Sequence, residues 1–219
     1  RANMRSGNKK LVSKWLNLAA TYPRTFYGLI ATRALGKKTD FDWSVPSLTR
    51  DHIKYIEGTK NGLRAIALIK AGQYHLAELE LQNIDPGDSI EKQQALLAYA
   101  NYYHLPALAM RLGNAYMDPK GHLYDAALYP LANWKPAKGY RIDQALIHAL
   151  VRQESKFQVS AENRSGATGL MQLMPATANY IAGNSIYAGK GGQQQLKDPE
   201  VNLEIGQTYV ERLLNNKAV

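Results

Sequence analysis

Along residues 1–138 the apolar and polar positions read as helix after helix, each closed by a breaker. Leu11 to Ala20 is apolar-periodic; Tyr22-Pro23 interrupts the chain, and Arg24 to Leu35 follows, ended by Gly36. Lys37 to Val45, polar with Asp40, Asp42 and interspersed aromatics, predicts a loop. Ser47 or Thr49 supplies the N-cap of a helix that closes near Gly58. Asn61 to Ala71, Gly72, then Gln73 to Asn83 make a helical hairpin, which Asp85-Pro86-Gly87-Asp88 breaks. Ile90 to Tyr103 and Pro106 to Tyr116 make another pair. The turns at Ala71-Gly72 and Tyr103-His104 lie about 32 residues apart, near the period of stacked helix-pair arrays, though no full repeat consensus is present.

Asn133-Trp134-Lys135-Pro136 with Lys138-Gly139 marks a boundary, so residues 1–138 read as a helical superhelix or linker region and residues 139–219 as a second unit. Ile142, Ala145, Leu146, Ala149 and Leu150 follow the i, i+3, i+4, i+7, i+8 pattern, which predicts an amphipathic helix from Tyr140 to Ser155. Phe157 to Ser165 reads as a loop, and Pro175 opens a helix over Ala176 to Ala182. Gly189, Gly191 and Gly192 make Gly183 to Gln195 a mobile loop. Asp198 caps a last helix, Glu200 to Asn215, with Val201, Ile205, Tyr209 and Leu213 as its core-facing stripe. The fold class is all-α.

Composition narrows the function. The chain has 219 residues, 45% hydrophobic and 21% charged, enough to bury a core. Its net charge of +9 comes from scattered Lys and Arg without a basic run or a nucleic-acid fold signature, which excludes nucleic acid as the expected partner. No apolar run approaches the roughly 20 residues that cross a membrane. With no cysteine, disulfides and thiol chemistry are absent. The histidines lack H-x-x-x-H spacing, so neither a metal nor another cofactor is expected, and His148 falls on the polar side of its helix without a role. Tyr99, Tyr102, Tyr103, Tyr116, Tyr124 and Tyr129 read as helix-interface residues before they read as sugar platforms.

Candidate chemistry gathers after Tyr140. Glu154 extends the apolar side of its helix, beyond Ile147, Leu150 and Val151. A carboxylate set against hydrocarbon loses hydration, and its proton is then available for general-acid work near neutral pH. The plainer reading is a Glu at a frayed helix end, solvated or paired with Arg152 or Lys156. Next comes Gly166-Ala167-Thr168-Gly169-Leu170-Met171-Gln172-Leu173-Met174-Pro175. There the Gln172 amide suits sugar hydroxyl and acetamido groups, and Met171 and Met174 offer adaptable apolar walls. The same methionines serve equally as core filler.

Glu154-Ser155, the Gly166-to-Pro175 run, and Asp198-Pro199-x-x-Asn202-x-x-x-Gly206-x-x-Tyr209, in that order, resemble the catalytic domain of soluble lytic murein transglycosylases. Thr21-Tyr22-Pro23-x-Thr25-x-Tyr27-Gly28-Leu29 is similar to the segment joining that family's helical region to it. The resemblance implies a superhelix of stacked helix pairs followed by a goose-lysozyme-like catalytic domain. It also implies cleavage between N-acetylmuramic acid and N-acetylglucosamine with a 1,6-anhydromuramyl product. Glu154 would be catalytic, as acid and then base; Gln172, Met174 and Met171 would bind substrate, joined by Asn163, which stands where the family often has Ser. Peptidoglycan glycan strands would be the partner, with the helical half left for other cell-wall enzymes, in the bacterial periplasm or envelope. The family pattern continues with an Ala-Tyr-Asn motif that has no counterpart before Val219, so the catalytic domain reads as C-terminally incomplete. Two other readings stay open: a goose-type lysozyme-like hydrolase, and a non-catalytic glycan-binding helical scaffold.

Overall fold

The computed structural model describes residues 5–215, and among these it forms twelve α-helices and only isolated β-bridges. The chain divides into two compact units between Trp43 and Ser44. The first holds α1 (Lys9–Ala20) and α2 (Phe26–Ala34), which pack as a hairpin. Thr25 caps α2 by accepting the Gly28 N–H at 3.0 Å.

The second unit begins with stacked helices: α3 (Arg50–Glu57), α4 (Lys60–Lys70), α5 (Tyr74–Leu81), α6 (Ile90–Tyr102) and α7 (Pro106–Ala115). Here α3 packs on α6, α4 on α5, and α6 on α7. Ile56, Leu81, Leu96, Leu97, Leu105 and Leu108 are buried between them. Each such side chain contributes roughly 1.5–3 kcal/mol on leaving water, which outweighs the indifferent helix propensity of so short a helix as α5.

The α3–α4 junction repeats the entry to α2. Thr59 Oγ accepts the Gly62 N–H at 2.9 Å and donates to the Ile56 carbonyl at 2.9 Å. Thr25 does the same with Gly28 and Tyr22. In both turns a Cβ on the glycine would collide with the carbonyl of the residue six before it, so Thr-x-x-Gly is what lets two helices join this tightly. The turns after α2, α4 and α6 also match. Each closes with a left-handed residue, Gly36, Gly72 or His104, and an N–H of the next residue reaching back to the last turn.

A buried carboxylate ties this stack together. Glu78 on α5 accepts the Ala107 and Leu108 N–H groups at 2.9 and 3.2 Å, and so caps α7, whose own N-cap, Leu105, has no side chain for the task. Burial pushes the Glu78 carboxyl up to about 7, against the lowering effect of the Leu108 and Ala107 N–H groups.

After the short α8 (Asp125–Leu128) come α9 (Gln144–Glu154), α10 (Pro175–Ala182), α11 (Gly189–Gln195) and α12 (Pro199–Asn215). Three expectations change. The helix carrying Glu154 starts at Gln144, because Asp143 caps it by accepting the Ala145 N–H at 2.7 Å. The glycine-rich stretch expected as a loop contains α11, in which Gly192 packs against the Ile186 and Tyr187 backbone where a Cβ would not fit. On α12, Tyr209 and Leu213 are exposed, and the buried face is Asn202, Leu203, Ile205, Gly206 and Gln207. The polar members of that face build the site.

Candidate active site

The last helix is the spine of the region around Glu154. Buried Gln207 donates to the Gly139 carbonyl at 2.8 Å and accepts the Arg141 N–H at 3.0 Å. The Arg141 guanidinium then forks onto α12, reaching Glu204 at 2.6 Å, Thr208 at 2.7 Å and Glu211 at 3.0 Å. Five residues back, buried Asn202 gives its amide hydrogens to the Leu196 and Thr168 carbonyls at 2.7 and 3.0 Å. Its oxygen takes the Met171 N–H at 2.8 Å. One helix therefore straps down both the segment leading into α9 and the Gly-rich loop. Asp198 starts this helix as expected, accepting the Glu200 and Val201 N–H groups at 2.9 and 3.1 Å.

The Gly-rich loop is a small lashed hairpin. Thr168 and Leu173 exchange both backbone hydrogen bonds at 3.0 Å, and Gly169 N–H reaches the Ala161 carbonyl at 2.8 Å. Gly169, at φ 80, lies so near Asn202 and the Leu196 carbonyl that a Cβ would overlap both. Gly206 does the same service on α12, since a Cβ there would run into the Met171 sulfur.

The helix and the hairpin share one core: Ile147 and Val151 of α9, Phe157, Val159, Leu170 and Leu203, with Met171 against its edge. Glu154 follows Ile147 and Val151 on that face but is exposed, because the buried stripe runs out at the helix end. The hydrocarbon setting expected for its carboxylate is thus not supplied by the protein's own packing. Of the two settings in the plainer reading, solvated or paired, the carboxylate has the first. Arg152 donates to the Leu128 carbonyl at 2.9 Å and lies over the Tyr129 ring, and no hydrogen bond or ion pair reaches the Glu154 carboxylate among the described residues.

The chain reverses immediately after Glu154. Lys156 and Phe157 both take left-handed backbone angles, φ 52 and 65, which cost bulky residues about 1–3 kcal/mol each. Complete burial of the Phe157 ring and the Ser155 hydroxyl bond to the Val151 carbonyl at 3.1 Å hold that reversal in place. His148 is not a polar-face residue: its ring lies between those of Tyr140 and Phe157, with Nδ1 3.0 Å from the Gln144 carbonyl and Nε2 buried.

The expected substrate residues have different settings. Gln172, at φ 45, turns its amide hydrogens inward to the Ala161 and Gly169 carbonyls at 3.2 and 3.1 Å, so they close the hairpin. Asn163 likewise accepts the Ser165 and Ala167 N–H groups at 2.9 and 3.0 Å. Met174 is exposed at the start of α10, whereas Met171 is half-buried where two core clusters meet. Asn202, Gln207 and Arg141 were not expected as parts of the site. Asn202 sits in the quoted motif, and its only further signal was an amide between Val201 and Ile205 on a helix face.

Known proteins resemble this chain in sequence and in fold. Residues 132–218 match the family described as Transglycosylase SLT domain. The soluble lytic murein transglycosylase of Escherichia coli is 27% identical over 195 residues, covering 86% of this chain and 29% of that protein. The membrane-bound lytic murein transglycosylase E of Buchnera aphidicola is 37% identical over 93 residues, covering 38% of this chain and 40% of that one. The crystal structure of the 70 kDa soluble lytic transglycosylase from Escherichia coli superposes with a TM-score of 0.74 at 24% identity, covering 98% of this chain and 35% of that one. That likeness shows the all-α, lysozyme-like fold. The chain spans about 29% of the length of the curated soluble relatives it matches. Residues 132–218 thus match the Transglycosylase SLT domain, and the chain is similar in sequence and in fold to soluble lytic transglycosylases.

Proposed function

We propose that this chain is a peptidoglycan lytic transglycosylase that cleaves the β-1,4 bond between N-acetylmuramic acid and N-acetylglucosamine and leaves a 1,6-anhydromuramyl end. What carries the reading is the setting of Glu154: an exposed carboxylate at a rigid helix end, beside a hairpin strapped to the same core. A saccharide laid over it supplies the dehydration that the protein does not. Glu154, protonated, gives its proton to the glycosidic oxygen as the C1–O bond breaks. As a carboxylate it then takes the proton of the muramyl C6 hydroxyl while that oxygen bonds to C1. No water is consumed.

The other carboxylates favour this route over hydrolysis by an acid–base pair. Glu162 pairs with Lys197 at 3.1 Å, Asp143 and Asp198 cap helices, and Glu204 and Glu211 hold Arg141. In the same proposal Met171 and Met174 line the sugar subsites, and the Gln172 and Asn163 amides shape the hairpin and meet the sugar with what they keep free. The functional unit starts near residue 139, after the superhelical segment, and works in the bacterial envelope on glycan strands.

Mass spectrometry of muropeptides released from purified peptidoglycan is the test, with Glu154→Gln alongside. Anhydro ends from the parent and none from the variant are expected. Reducing ends lost in the same variant would replace the proposal with a hydrolase. Binding to the polymer with no product from either protein would leave a glycan-binding scaffold.

A further inference from the structure

The second unit has a cavity apart from Glu154. It has a volume of about 710 Å³, within the roughly 300–1,000 Å³ typical of ligand sites. Neither Glu154 nor any residue of the 166–175 hairpin lines it. One wall comes from the helix-pair turns around Gly72 and His104, the other from Asn133-Trp134, Val159-Ser160 and the stretch leading into α12.

Its chemistry is specific. Tyr74, Tyr102, Tyr103 and Trp134 turn aromatic surface to the space, and Tyr102 is 62% exposed although its helix is otherwise well packed. His75, His104, Asn133, Ser160 and Gln194 add imidazole, amide and hydroxyl groups that take part in hydrogen bonds. Three of the four Lys, Asp and Glu side chains of the lining have partners of their own. Lys197 is paired with Glu162 at 3.1 Å, Asp198 caps α12, and Glu78 caps α7. Glu200 sits in the first turn of α12, where the helix dipole favours an anion.

The backbone carries an independent sign. Of the three matching helix-end turns, two place glycine at the left-handed position and the third places His104, at φ 52. Glycine takes that conformation without strain and histidine does not. A residue other than glycine at this position, with its side chain on the cavity wall, is an outlier from which a use of the imidazole can be inferred and tested.

We propose that this cavity is a second carbohydrate site, which takes an uncharged stretch of N-acetylhexosamine glycan on Tyr102 and Trp134, with His104 as a hydrogen-bonding partner. It rests on the transglycosylase reading only for the source of the sugar, and it holds the polymer away from the cleavage point. Aromatic faces flanked by neutral donors and acceptors suit sugar rings, whereas the charged stem peptide of peptidoglycan would find few free counter-charges here.

The test uses the full chain carrying Glu154→Gln, so that nothing is cleaved, titrated with the N-acetylglucosamine pentamer and followed by backbone amide and indole NMR shifts. Signals of residues 72–75 and 102–106 and the Trp134 indole are expected to move in a transition separate from that of residues 166–175. Adding His104→Gly or Tyr102→Ala weakens the first transition about tenfold and leaves the second unchanged. His104→Gly also relieves strain, so its thermal midpoint stays level or rises and lost binding is not lost folding. Shifts confined to residues 154–175, or titrations indifferent to both variants, would overturn the site. Stem peptide alone moving the 102–106 signals would overturn the choice of occupant. A parent protein that makes no anhydro ends would end the transglycosylase proposal and leave this titration readable.

Discussion

Asn202 is where the fold and the site can be separated by experiment. Alanine there removes the acceptor of the Met171 N–H and the donors to the Thr168 and Leu196 carbonyls. Thr168 keeps its bond from the Leu173 N–H at 3.0 Å, so the Met171 N–H and the Leu196 carbonyl are left short. At about 1–3 kcal/mol for each buried group without a partner, the cost is roughly 2–6 kcal/mol. Asn202→Asp is the sharper variant, being nearly the same shape. One oxygen still accepts from Met171, but the other replaces a donor and faces two carbonyl oxygens. The folded protein therefore prefers that carboxyl protonated, which raises its pKa above the ordinary value of about 3.9. Its stability is accordingly present at low pH and lost as pH rises through the raised folded value. Trp134 is the reporter, with Trp15 and Trp43 changed to Phe so that fluorescence follows the second unit alone. Urea unfolding at pH 5 and pH 8, with exchange protection of the Thr168 and Leu173 amides, gives the result. An alanine variant within about 0.5 kcal/mol of its parent, or an aspartate variant with equal deficits at both pH values, would refute the staple.

Glu78→Gln keeps the acceptor for α7 and removes the buried charge. Because burial raises the Glu78 carboxyl from its ordinary 4.5 to about 7, the parent loses stability as pH rises between those values, by about 3 kcal/mol at most. The variant should match the parent near pH 5 and exceed it at pH 8 in denaturant melts; equal pH profiles would show that Glu78 is not a buried acid. Gly206→Ala pushes a methyl into the Met171 side chain and should cost about 1–3 kcal/mol. Met171→Ala in the same chain makes room for the methyl, so the double variant should fall short of the summed single losses in a thermal double-mutant cycle. Additive losses would mean that the two residues do not press on each other.

The helical class, the helix ending at Glu154 and the Asp198 cap were legible because each rests on residues within a few positions of one another. Long-range pairings were not. Glu78 meets α7 from 29 residues away, and Asn202 meets Met171 from 31; no local pattern announces such partners. The last helix misled for the same reason. Val201, Ile205, Tyr209 and Leu213 form a good apolar stripe, yet two amides took the buried face because backbone groups elsewhere needed them. Gly189 to Gln195 has the composition of a flexible segment, but Gly192 is required where the Tyr187 backbone passes too close for a side chain. Thr25-x-x-Gly28 and Thr59-x-x-Gly62 were visible as text; without the carbonyl that sits over each glycine, nothing set them apart from other Thr and Gly pairs.

The order in which the chain is made gives the α12 strap a consequence of its own. Glu154 and the hairpin at 166–175 are synthesised before Asn202 and Gln207, which hold them. A nascent or interrupted chain that stops short of α12 can form its stacked helices, whose contacts are local, while the hairpin lacks the amide that pins Met171 and the approach to α9 lacks the one that pins Gly139. The surroundings of Glu154 are thus completed by a segment made after it, and chains cut short of α12 carry the carboxylate without the contacts that fix its neighbours.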